Sequence, residues 1–274
     1  MEVGTPATFD RELLLSARDL PELVRQRRAF LYRHHDGELR SVLEVGALNT
    51  PTIRPGECAT SFLDWFHTDE LRAKHVENPR VDTGDLVTVD RVIKSRNYAD
   101  HVDTPVDLLI ANHVLEHVPD PIHWLAQARR CVKPDGQLFL CVPDRRYTFD
   151  YFRRESDAVD MVTAYAETHE RPTAADIARH LYYWTDITHI EIWETGPPLR
   201  FKPRMTFDKA LARAAVLAEV YTDVHVWVFT TDTFLRTFRA LRASGHIAWD
   251  IAAFEDVQPG QNEMRLLLRP SADG

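Results

Sequence analysis

The sequence predicts an α/β fold with a doubly wound, mainly parallel sheet and a mostly helical insertion after the fifth strand. Short apolar runs alternate with amphipathic helical patterns through the first half of the chain. Such alternation is typical of parallel strands joined by crossover helices. The alternation stops at Pro143 and resumes near residue 223, which predicts one sheet domain with a long interruption.

The first half of the chain supplies a helix and then five strands. The helix is predicted over residues 20–36, and its basic face is expected to lie in solvent. Five apolar runs predict the strands, at residues 41–46, 60–65, 85–90, 106–112 and 137–143. Between the last two runs, an amphipathic segment predicts a helix that ends at the breaker "KPDG", residues 133–136.

The second half of the chain begins with a segment of different character. Residues 144–222 are rich in charges and aromatic rings and are predicted to be mostly helical. After them, "DVHVWVFT" predicts a strand, "TTDTFLRTFRALRASGH" a capped helix, and "IAWDIAAFEDV" with "EMRLLLRP" an antiparallel strand pair. We therefore expect a nucleotide-binding sheet domain from residues 1–143 and 223–274, and a helical substrate-binding insertion or lid from residues 144–222.

Composition narrows the classes of partner. The 274 residues are 44% hydrophobic and carry a formal net charge of −9. A nucleic-acid partner is not expected, because phosphate binding relies on a basic surface. A membrane partner is not expected either, because no apolar run approaches the ~20 residues of a spanning helix. The three cysteines, Cys58, Cys131 and Cys141, fit no zinc spacing and are expected as free thiols in the cytoplasm.

The stretch "SVLEVGALNTP", residues 41–51, starts like a nucleotide-binding strand and turn but has a single glycine. Asp64 follows Gly46 by eighteen residues, which is close to the usual distance to a ribose-binding acid. Glu44 lies inside the strand end, where a carboxylate suits an ammonium group better than a pyrophosphate. Its alternative role is a capping contact to a neighbouring loop.

A longer stretch carries a resemblance to a known family. "VDLLIANHVLEHVPDPIHWLAQARRCVKPDGQLFLCVPD", residues 106–144, resembles the later motifs of class I S-adenosylmethionine-dependent methyltransferases of the type-11 kind. "VPDRRYTFDYFR" and "YTDVHVWVFTTDTF" resemble a subgroup found near glycan and natural-product biosynthesis. The resemblance implies a seven-stranded Rossmann-like sheet, S-adenosyl-L-methionine as cofactor and S-adenosyl-L-homocysteine as product.

The resemblance also implies cofactor-binding residues. Gly46, Glu44 and Ala47 would lie at the methionine end of the cofactor, which Asn112 and His113 would line through their backbone. Asp64 would accept the ribose hydroxyls, and Trp65 would lie against the adenine. Asp90, which ends the predicted third strand, would accept the adenine amino group; it is preferred over Asp85 because it lies closer to the fourth strand, as in the subgroup. In short, the implied set is Glu44, Gly46, Ala47, Asp64, Trp65, Asp90, Asn112 and His113.

Three residues are candidates for catalysis. A sugar hydroxyl needs a general base or a metal before it can accept a methyl group, whereas an amine does not. His117 follows the fourth strand, and its alternative role is to shape the pocket. Asp144 follows the fifth strand, and its alternatives are a helix cap or an ion pair with Arg145 or Arg146. His225 lies on one face of an alternating strand, where its alternative is simple packing.

Substrate contacts are expected from the segment after the fifth strand. Arg146, Tyr147 and Arg153 are candidates, although Tyr147, Asp150 and Arg153 also fit an ordinary charge pair along a helix. "RHLYYWTDITHIEIW", residues 179–193, combines aromatic rings, acids and histidines in a way that suits carbohydrate recognition or, alternatively, lid packing. It contributes His180 as a further substrate candidate, and His180, His189 and Asp186 as a weak metal set; metal dependence stays open.

Together these features predict a cytoplasmic methyltransferase that acts on a small molecule. O-methylation of a sugar, a glycan precursor or a natural product is expected first. N-methylation of an amino sugar or amine is the alternative within the class. A non-catalytic partner subunit that binds the cofactor is the alternative of another class. A nicotinamide-dependent oxidoreductase is disfavoured because residues 47–50, directly after Gly46, do not supply the glycines of its fingerprint. A homo-oligomer is left open.

Overall fold

The computed structural model describes residues 20–35, 37–78 and 81–272, and these form a seven-stranded sheet of order β3-β2-β1-β4-β5-β7-β6. The strands are Ser41–Val45 (β1), Ala59–Asp64 (β2), Arg91–Val92 (β3), Val106–Asn112 (β4), Val132–Pro143 (β5), Trp249–Glu255 (β6) and Glu263–Pro270 (β7). Strands β1 to β5 run parallel, and β7 is antiparallel to both β5 and β6. The predicted fold class is confirmed.

The central strands are mostly apolar because both faces of the sheet are covered. On one face Val42, Leu108 and Phe139 join one buried cluster. On the other face the next residue of β1 and of β4, Leu43 and Leu109, join a larger cluster. Successive side chains of a strand point to opposite faces, so continuous apolar runs are what a doubly covered sheet requires.

Eight helices cover the sheet in the described residues. They are Glu22–His34 (α1), Thr68–His75 (α2), Pro121–Cys131 (α3), Ala158–Ala166 (α4), Ala174–Tyr183 (α5), His189–Thr195 (α6), Phe207–Leu217 (α7) and Thr231–Ala243 (α8). Their starts follow capping chemistry: the Asp120 side chain accepts the His123 N–H at the start of α3, and Thr230 accepts the Thr233 N–H at the start of α8.

Two predicted strands are wrong. Residues 85–90 form no strand, and the third strand is only Arg91–Val92. Residues 223–230 form no strand either: Phe229 makes only an isolated bridge with Asp144, and the Val226 and Trp227 N–H groups both donate to the Glu116 carbonyl, at 2.7 and 3.1 Å. The alternating pattern therefore indicated a strand where the chain instead bonds to the turn after β4.

The basic face of α1 is only partly in solvent, contrary to expectation. Arg27 is buried and donates to the Glu263 carboxylate at 3.1 and 2.6 Å. Arg28 is buried too, and its Nε donates to the Thr52 carbonyl at 2.6 Å. These two side chains tie α1 to β7 and to the loop after β1. Each has a buried hydrogen-bond partner because a buried charge without one would be costly.

Helices α4 to α7 occupy the segment between β5 and residue 223, as its composition predicted. The boundaries 144–222 of a separate insertion stay a prediction. The three cysteines form no disulfide, and Cys131 and Cys141 are buried. Within the described ranges no helix has both the length and the apolarity needed to cross a bilayer.

Candidate functional site

A cavity of about 440 Å³ opens at the carboxyl ends of β1, β2, β3 and β4. Ligands of open α/β sheets bind at this edge, next to the point where the direction of strand order changes. Here that point lies between β1 and β4. The segment between β5 and α8 closes one side of the cavity with His169, Glu170, Tyr221 and Asp223. The cavity therefore lies between the sheet edge and the helical segment.

Gly46 forms the turn directly after β1 and lines this cavity. Its φ of +66° lies in the left-handed region, which glycine adopts without strain. A Cβ atom added at Gly46 would meet Val114 Cγ2 at 3.2 Å, which is tighter than ordinary contact. A glycine is needed at this one position, and the turn continues without a second one.

Asp64 and Trp65 line the cavity at the end of β2, as the resemblance implied. The Asp64 carboxylate accepts the Phe66 N–H at 2.9 Å, and burial raises the pKa of Asp64. The Trp65 ring is stacked with Tyr221, with ring centroids 4.5 Å apart and planes 21° from parallel. Sequence reasoning missed Tyr221, which sits at the far end of the helical segment.

Glu44 and Asn112 do not line the cavity but form one buried group behind it. The Glu44 carboxylate accepts the Thr52 N–H at 2.8 Å, and Asn112 Nδ2 donates to Glu44 Oε1 at 3.1 Å. Burial raises the pKa of Glu44 to about 7, despite hydrogen bonds from Thr52 that lower it. The loop-capping alternative is therefore what the structure shows, and a cofactor contact by Glu44 or Asn112 stays a prediction.

The residue that ends the third strand is not Asp90, because β3 follows it. Asp90 is exposed, and its carboxylate accepts the Phe62 N–H at 2.8 Å. Beyond β3 the cavity is lined by Ile93 and Ser95, which sequence reasoning missed because the strand was placed too early. Ala47 is buried beside Phe62 and is also outside the cavity lining.

His113, at the end of β4, lines the cavity with an unusual backbone. Its φ of +53° is left-handed, a conformation that costs a non-glycine residue energy and that proteins retain where a side chain must be aimed. Its Nε2 lies 2.9 Å from Glu263 Oε2, and its Nδ1 lies 3.4 Å from Glu116 Oε1. Burial alone would lower the pKa of His113, but the Glu116 and Glu263 carboxylates outweigh it and raise the pKa to about 9.

His117 and His225 come together beside the cavity although they are far apart in sequence. Their ring centroids are 4.7 Å apart, and the rings meet edge to face at 86°. His117 Nδ1 lies 2.7 Å from Asp223 Oδ1, and this carboxylate raises the pKa of His117 against the lowering effect of burial. His225 Nδ1 lies 2.5 Å from Asp150 Oδ2.

A sequence model of one family, described as "Methyltransferase domain", matches residues 16–195 of this chain. The chain belongs to the methyltransferase domain family. The matched residues include β1 to β5, and therefore all the strand ends that open into the cavity. No curated protein matches the sequence of this methyltransferase.

Solved structures resemble the methyltransferase only at low identity. A Burkholderia thailandensis 1,6-didemethyltoxoflavin-N1-methyltransferase is 14% identical over 99% of this chain and 93% of its own, with a TM-score of 0.46. A Mesorhizobium loti S-adenosylmethionine-dependent methyltransferase is 18% identical over 89% and 95%, with a TM-score of 0.42. A Rhodobacter sphaeroides structure named for Zn-dependent alcohol dehydrogenases is 11% identical over 92% and 91%, with a TM-score of 0.46. These values support no assignment of substrate.

Asp144 is held away from the cavity of the methyltransferase. It is fully buried, Arg146 Nη2 donates to its Oδ2 at 2.7 Å, and the Thr231 N–H donates to the same oxygen at 2.8 Å. It also accepts the N–H of Arg146, so both alternatives, a cap and an ion pair, are realised. A catalytic role for Asp144 and a substrate contact by Arg146 stay predictions.

The other substrate candidates of the methyltransferase have structural partners. Arg153 is buried and donates to Asp150 Oδ1 at 3.0 Å and to the carbonyl oxygens of His225 and Val226 at 2.8 and 3.2 Å. Tyr147 is stacked on Trp193, with centroids 4.6 Å apart and planes 3° from parallel. Neither lines the cavity, and their contact with substrate stays a prediction.

His180 lies behind the histidine pair rather than in a metal set of its own. The His225 N–H donates to His180 Nδ1 at 3.3 Å, and burial lowers the pKa of His180 to about 3. Asp186 pairs with Arg204 at the surface, with Arg204 Nε 2.8 Å from Asp186 Oδ2. Among the residues that the structure describes, His180, His189 and Asp186 are not grouped closely enough to hold an ion.

Proposed function

We propose that this methyltransferase takes its methyl group from S-adenosylmethionine and transfers it to a hydroxyl group of a small molecule, such as a sugar, a glycan precursor or a natural product. One observation carries the proposal. One cavity is lined at one wall by the Asp64 carboxylate and the stacked Trp65–Tyr221 pair, and at the other wall by His117, which pairs with Asp223. A carboxylate in the position of Asp64 suits ribose hydroxyls.

The cofactor end of the cavity fits an adenosyl group joined to an amino acid. The cavity volume falls within the range of roughly 300–1,000 Å³ that small-molecule sites have. The Asp64 carboxylate accepts one backbone N–H and has lone pairs left for ribose hydroxyls. Val45, Leu63 and Ile93 supply an apolar wall for a base, and Gly46 lets the ligand approach the backbone closely.

The charges around the cavity suit a cationic cofactor better than a pyrophosphate. Asp64 and Asp223 both line it, and the buried Glu116 carboxylate lies directly behind His113. When bound, S-adenosylmethionine supplies an electrophilic methyl group on a positively charged sulfur, so the chain mainly has to position the acceptor in line. Lys74 and Arg96 also line the cavity, but each is paired with a carboxylate, Asp223 and Asp120, so neither is left to neutralise the pyrophosphate of a nicotinamide dinucleotide.

The histidine cluster favours a hydroxyl acceptor over an amine. An amine is nucleophilic once its proton is lost, whereas a hydroxyl needs assistance at neutral pH. His117 lines the cavity, and its Nδ1 faces Asp223 Oδ1 at 2.7 Å as an ion pair, so its Nε2 is left for chemistry. An amine acceptor would leave the two carboxylate–histidine pairs, Asp223–His117 and Asp150–His225, without a use.

Calorimetric titration with S-adenosylhomocysteine tests the cofactor assignment. We expect micromolar binding, no binding of NAD⁺, and at least tenfold weaker binding of S-adenosylhomocysteine to Asp64→Ala. Asp232→Ala is the matched control, because Asp232 is an exposed residue of α8 that pairs only with Arg236 at the surface in the described structure. Absence of S-adenosylhomocysteine binding to the unmodified protein would contradict the proposal.

An acceptor screen then separates the two kinds of methylation. Polyhydroxylated compounds and their amino analogues are incubated with S-adenosylmethionine, and the products are analysed by mass spectrometry with fragmentation. We expect a methyl ether, and its formation should fall at least a hundredfold in His117→Ala. Products methylated only at nitrogen would favour the N-methyltransferase alternative, and cofactor binding without any product would favour a partner subunit.

A further inference from the structure

We propose that Glu116, His117 and His225 bind one divalent cation of the first transition row, with Zn²⁺ as the natural fit, at the wall of the cavity. The role of the cation, to activate the acceptor hydroxyl, rests on the proposed methyl transfer. Cation binding itself does not. The ligand atoms of these three residues all lie within 4.8 Å of one another.

Glu116 is the first reason to expect a ligand. Its side chain is fully buried, and within the described part of the chain neither carboxylate oxygen accepts a hydrogen bond. A buried carboxylate without hydrogen bonds is costly, so proteins retain one where something else satisfies it. The nearest cationic groups are histidine ring nitrogens: His113 Nδ1 at 3.4 Å, and His117 Nε2 and His225 Nε2 both at 3.9 Å.

The orientation of the two histidines is the second reason. Asp150 makes a hydrogen bond of 2.5 Å with Nδ1 of His225, and Asp223 Oδ1 lies 2.7 Å from Nδ1 of His117 as an ion pair without hydrogen-bond geometry. In both cases the Nε2 atom is turned toward Glu116 Oε1. A carboxylate on one ring nitrogen is the usual second contact of a metal-binding histidine, because it fixes the tautomer and raises the basicity of the other nitrogen.

The ligand atoms must move closer together, by about 0.5–1.4 Å for each pair, before they can share one ion. Zinc–nitrogen bonds of about 2.0–2.1 Å in tetrahedral geometry place two ligand atoms roughly 3.4 Å apart. Both Nε2 atoms are 3.9 Å from Glu116 Oε1, and no two ligand atoms of the set are more than 4.8 Å apart, so rotations of the three side chains that close these gaps would complete the set. Two histidines and one carboxylate leave a fourth position open, which is characteristic of catalytic rather than structural zinc.

The backbone holds the two ligand-bearing segments together. The Glu116 carbonyl accepts the N–H groups of Val226 and Trp227, so the 3₁₀ turn Leu115–His117 and the segment with His225 are directly bonded. Arg153 adds hydrogen bonds to the carbonyls of His225 and Val226. The ligands therefore come from a scaffold that does not depend on a cation for its geometry.

The open position would face the proposed acceptor. Glu116 and His225 are buried, whereas His117 lines the cavity. A hydroxyl oxygen bound there would lose its proton to water more readily, because a divalent cation lowers the pKa of a bound hydroxyl. Its lone pair would form the new O–CH₃ bond while the electron pair of the broken C–S bond stays on sulfur, which gives a methyl ether and S-adenosylhomocysteine.

Cobalt binding tests the site without reference to activity. The full chain is freed of metal by chelation and titrated with Co²⁺, whose visible absorption is intense in four- or five-coordinate nitrogen and oxygen sites. We expect one equivalent of Co²⁺ to bind and to be displaced by Zn²⁺. Glu116→Gln and His225→Gln should each weaken binding at least a hundredfold, and Asp150→Asn tenfold to a hundredfold, as for other second contacts.

His101→Gln is the matched control, because His101 is an exposed histidine of the turn Tyr98–His101. His117→Gln, at a half-buried position, keeps the test decisive if a variant at a buried ligand fails to fold. Absence of Co²⁺ binding, or binding that these variants leave unchanged, would overturn the inference and would mean that protonated His113 alone balances Glu116. Titration of the same preparations with S-adenosylhomocysteine separates this failure from failure of the proposed function.

Discussion

Replacing Glu44 by glutamine should remove a pH dependence of stability that one buried carboxyl imposes. The side chain is 1% exposed, and burial raises its pKa from an ordinary 4.5 to about 7. The folded state therefore keeps the proton to higher pH than the unfolded state does. The stability gained from this proton is fully present below about pH 4.5 and is lost as pH rises through 7.

The size of the effect follows from the two pKa values. At about 1.4 kcal/mol for each pKa unit, the full loss is ~3 kcal/mol, and roughly 2–3 kcal/mol of it falls between pH 5 and pH 8. Glutamine keeps an oxygen for the Thr52 N–H, and a flip of the Asn112 amide, whose Oδ1 has no hydrogen-bond partner among the described residues, would turn an acceptor toward the new N–H₂ group. The variant should therefore fold.

Urea unfolding at pH 5 and pH 8 measures the difference. Histidines titrate in the same window, but they are common to both proteins and cancel when the two pH dependences are subtracted. The free energy of unfolding should fall by roughly 2–3 kcal/mol less in Glu44→Gln than in the unmodified protein. Glu77→Gln, at an exposed position, is the matched control. A difference under about 0.5 kcal/mol would refute the account of a burial-raised pKa.

Four further substitutions test the scaffold by chemical denaturation. Arg153→Ala should lower the free energy of unfolding by about 3–5 kcal/mol, because it leaves a buried carboxylate partner behind; a loss below 1 kcal/mol would contradict this. Gly46→Ala should lower the free energy of unfolding by about 1–2 kcal/mol, because alanine is strained at the positive φ of this position. Gly46→Ala combined with Val114→Ala should lower it by less than the sum of the two single changes, because the contact at 3.2 Å is relieved. Trp249→Phe should cost about 1–3 kcal/mol because the Leu125 carbonyl loses its indole N–H donor at 2.9 Å, and an unchanged midpoint would show that this bond contributes nothing.

Much of the sheet could be predicted because its strands are apolar on both faces. β1, β4 and β5 are nearly continuous apolar runs, and each was placed within a few residues of its true position, except that β5 begins earlier, at Val132. The run at residues 85–90 is also apolar in part, but it lies at the sheet edge. There the Val87 N–H donates to the Leu48 carbonyl instead of to a neighbouring strand. Whether a segment lies at the edge of a sheet, and whether it bonds to a loop or to a strand, cannot be inferred from its local sequence.

Only part of the candidate site could be predicted from the sequence. Asp64 and Trp65 could be found because their spacing from Gly46 is fixed by the fold, and His117 because it follows a strand end. The contacts of Asp223 and Tyr221, and the approach of the His225 ring to the Glu116 carboxylate, could not be predicted. They depend on how a segment more than a hundred residues later in the chain returns to the turn after β4. Long-range pairing of this kind is invisible to periodicity.

The position of β7 between β5 and β6 has a consequence for synthesis of the chain. Until residues 263–270 leave the ribosome, β5 has an open edge, and its residues from Gly136 to Pro143 are all buried in the finished fold. An apolar strand with unpaired N–H and C=O groups is a template for aggregation. The nascent chain therefore presents this apolar edge of β5 until β7 inserts between β5 and β6 and Glu263 meets Arg27.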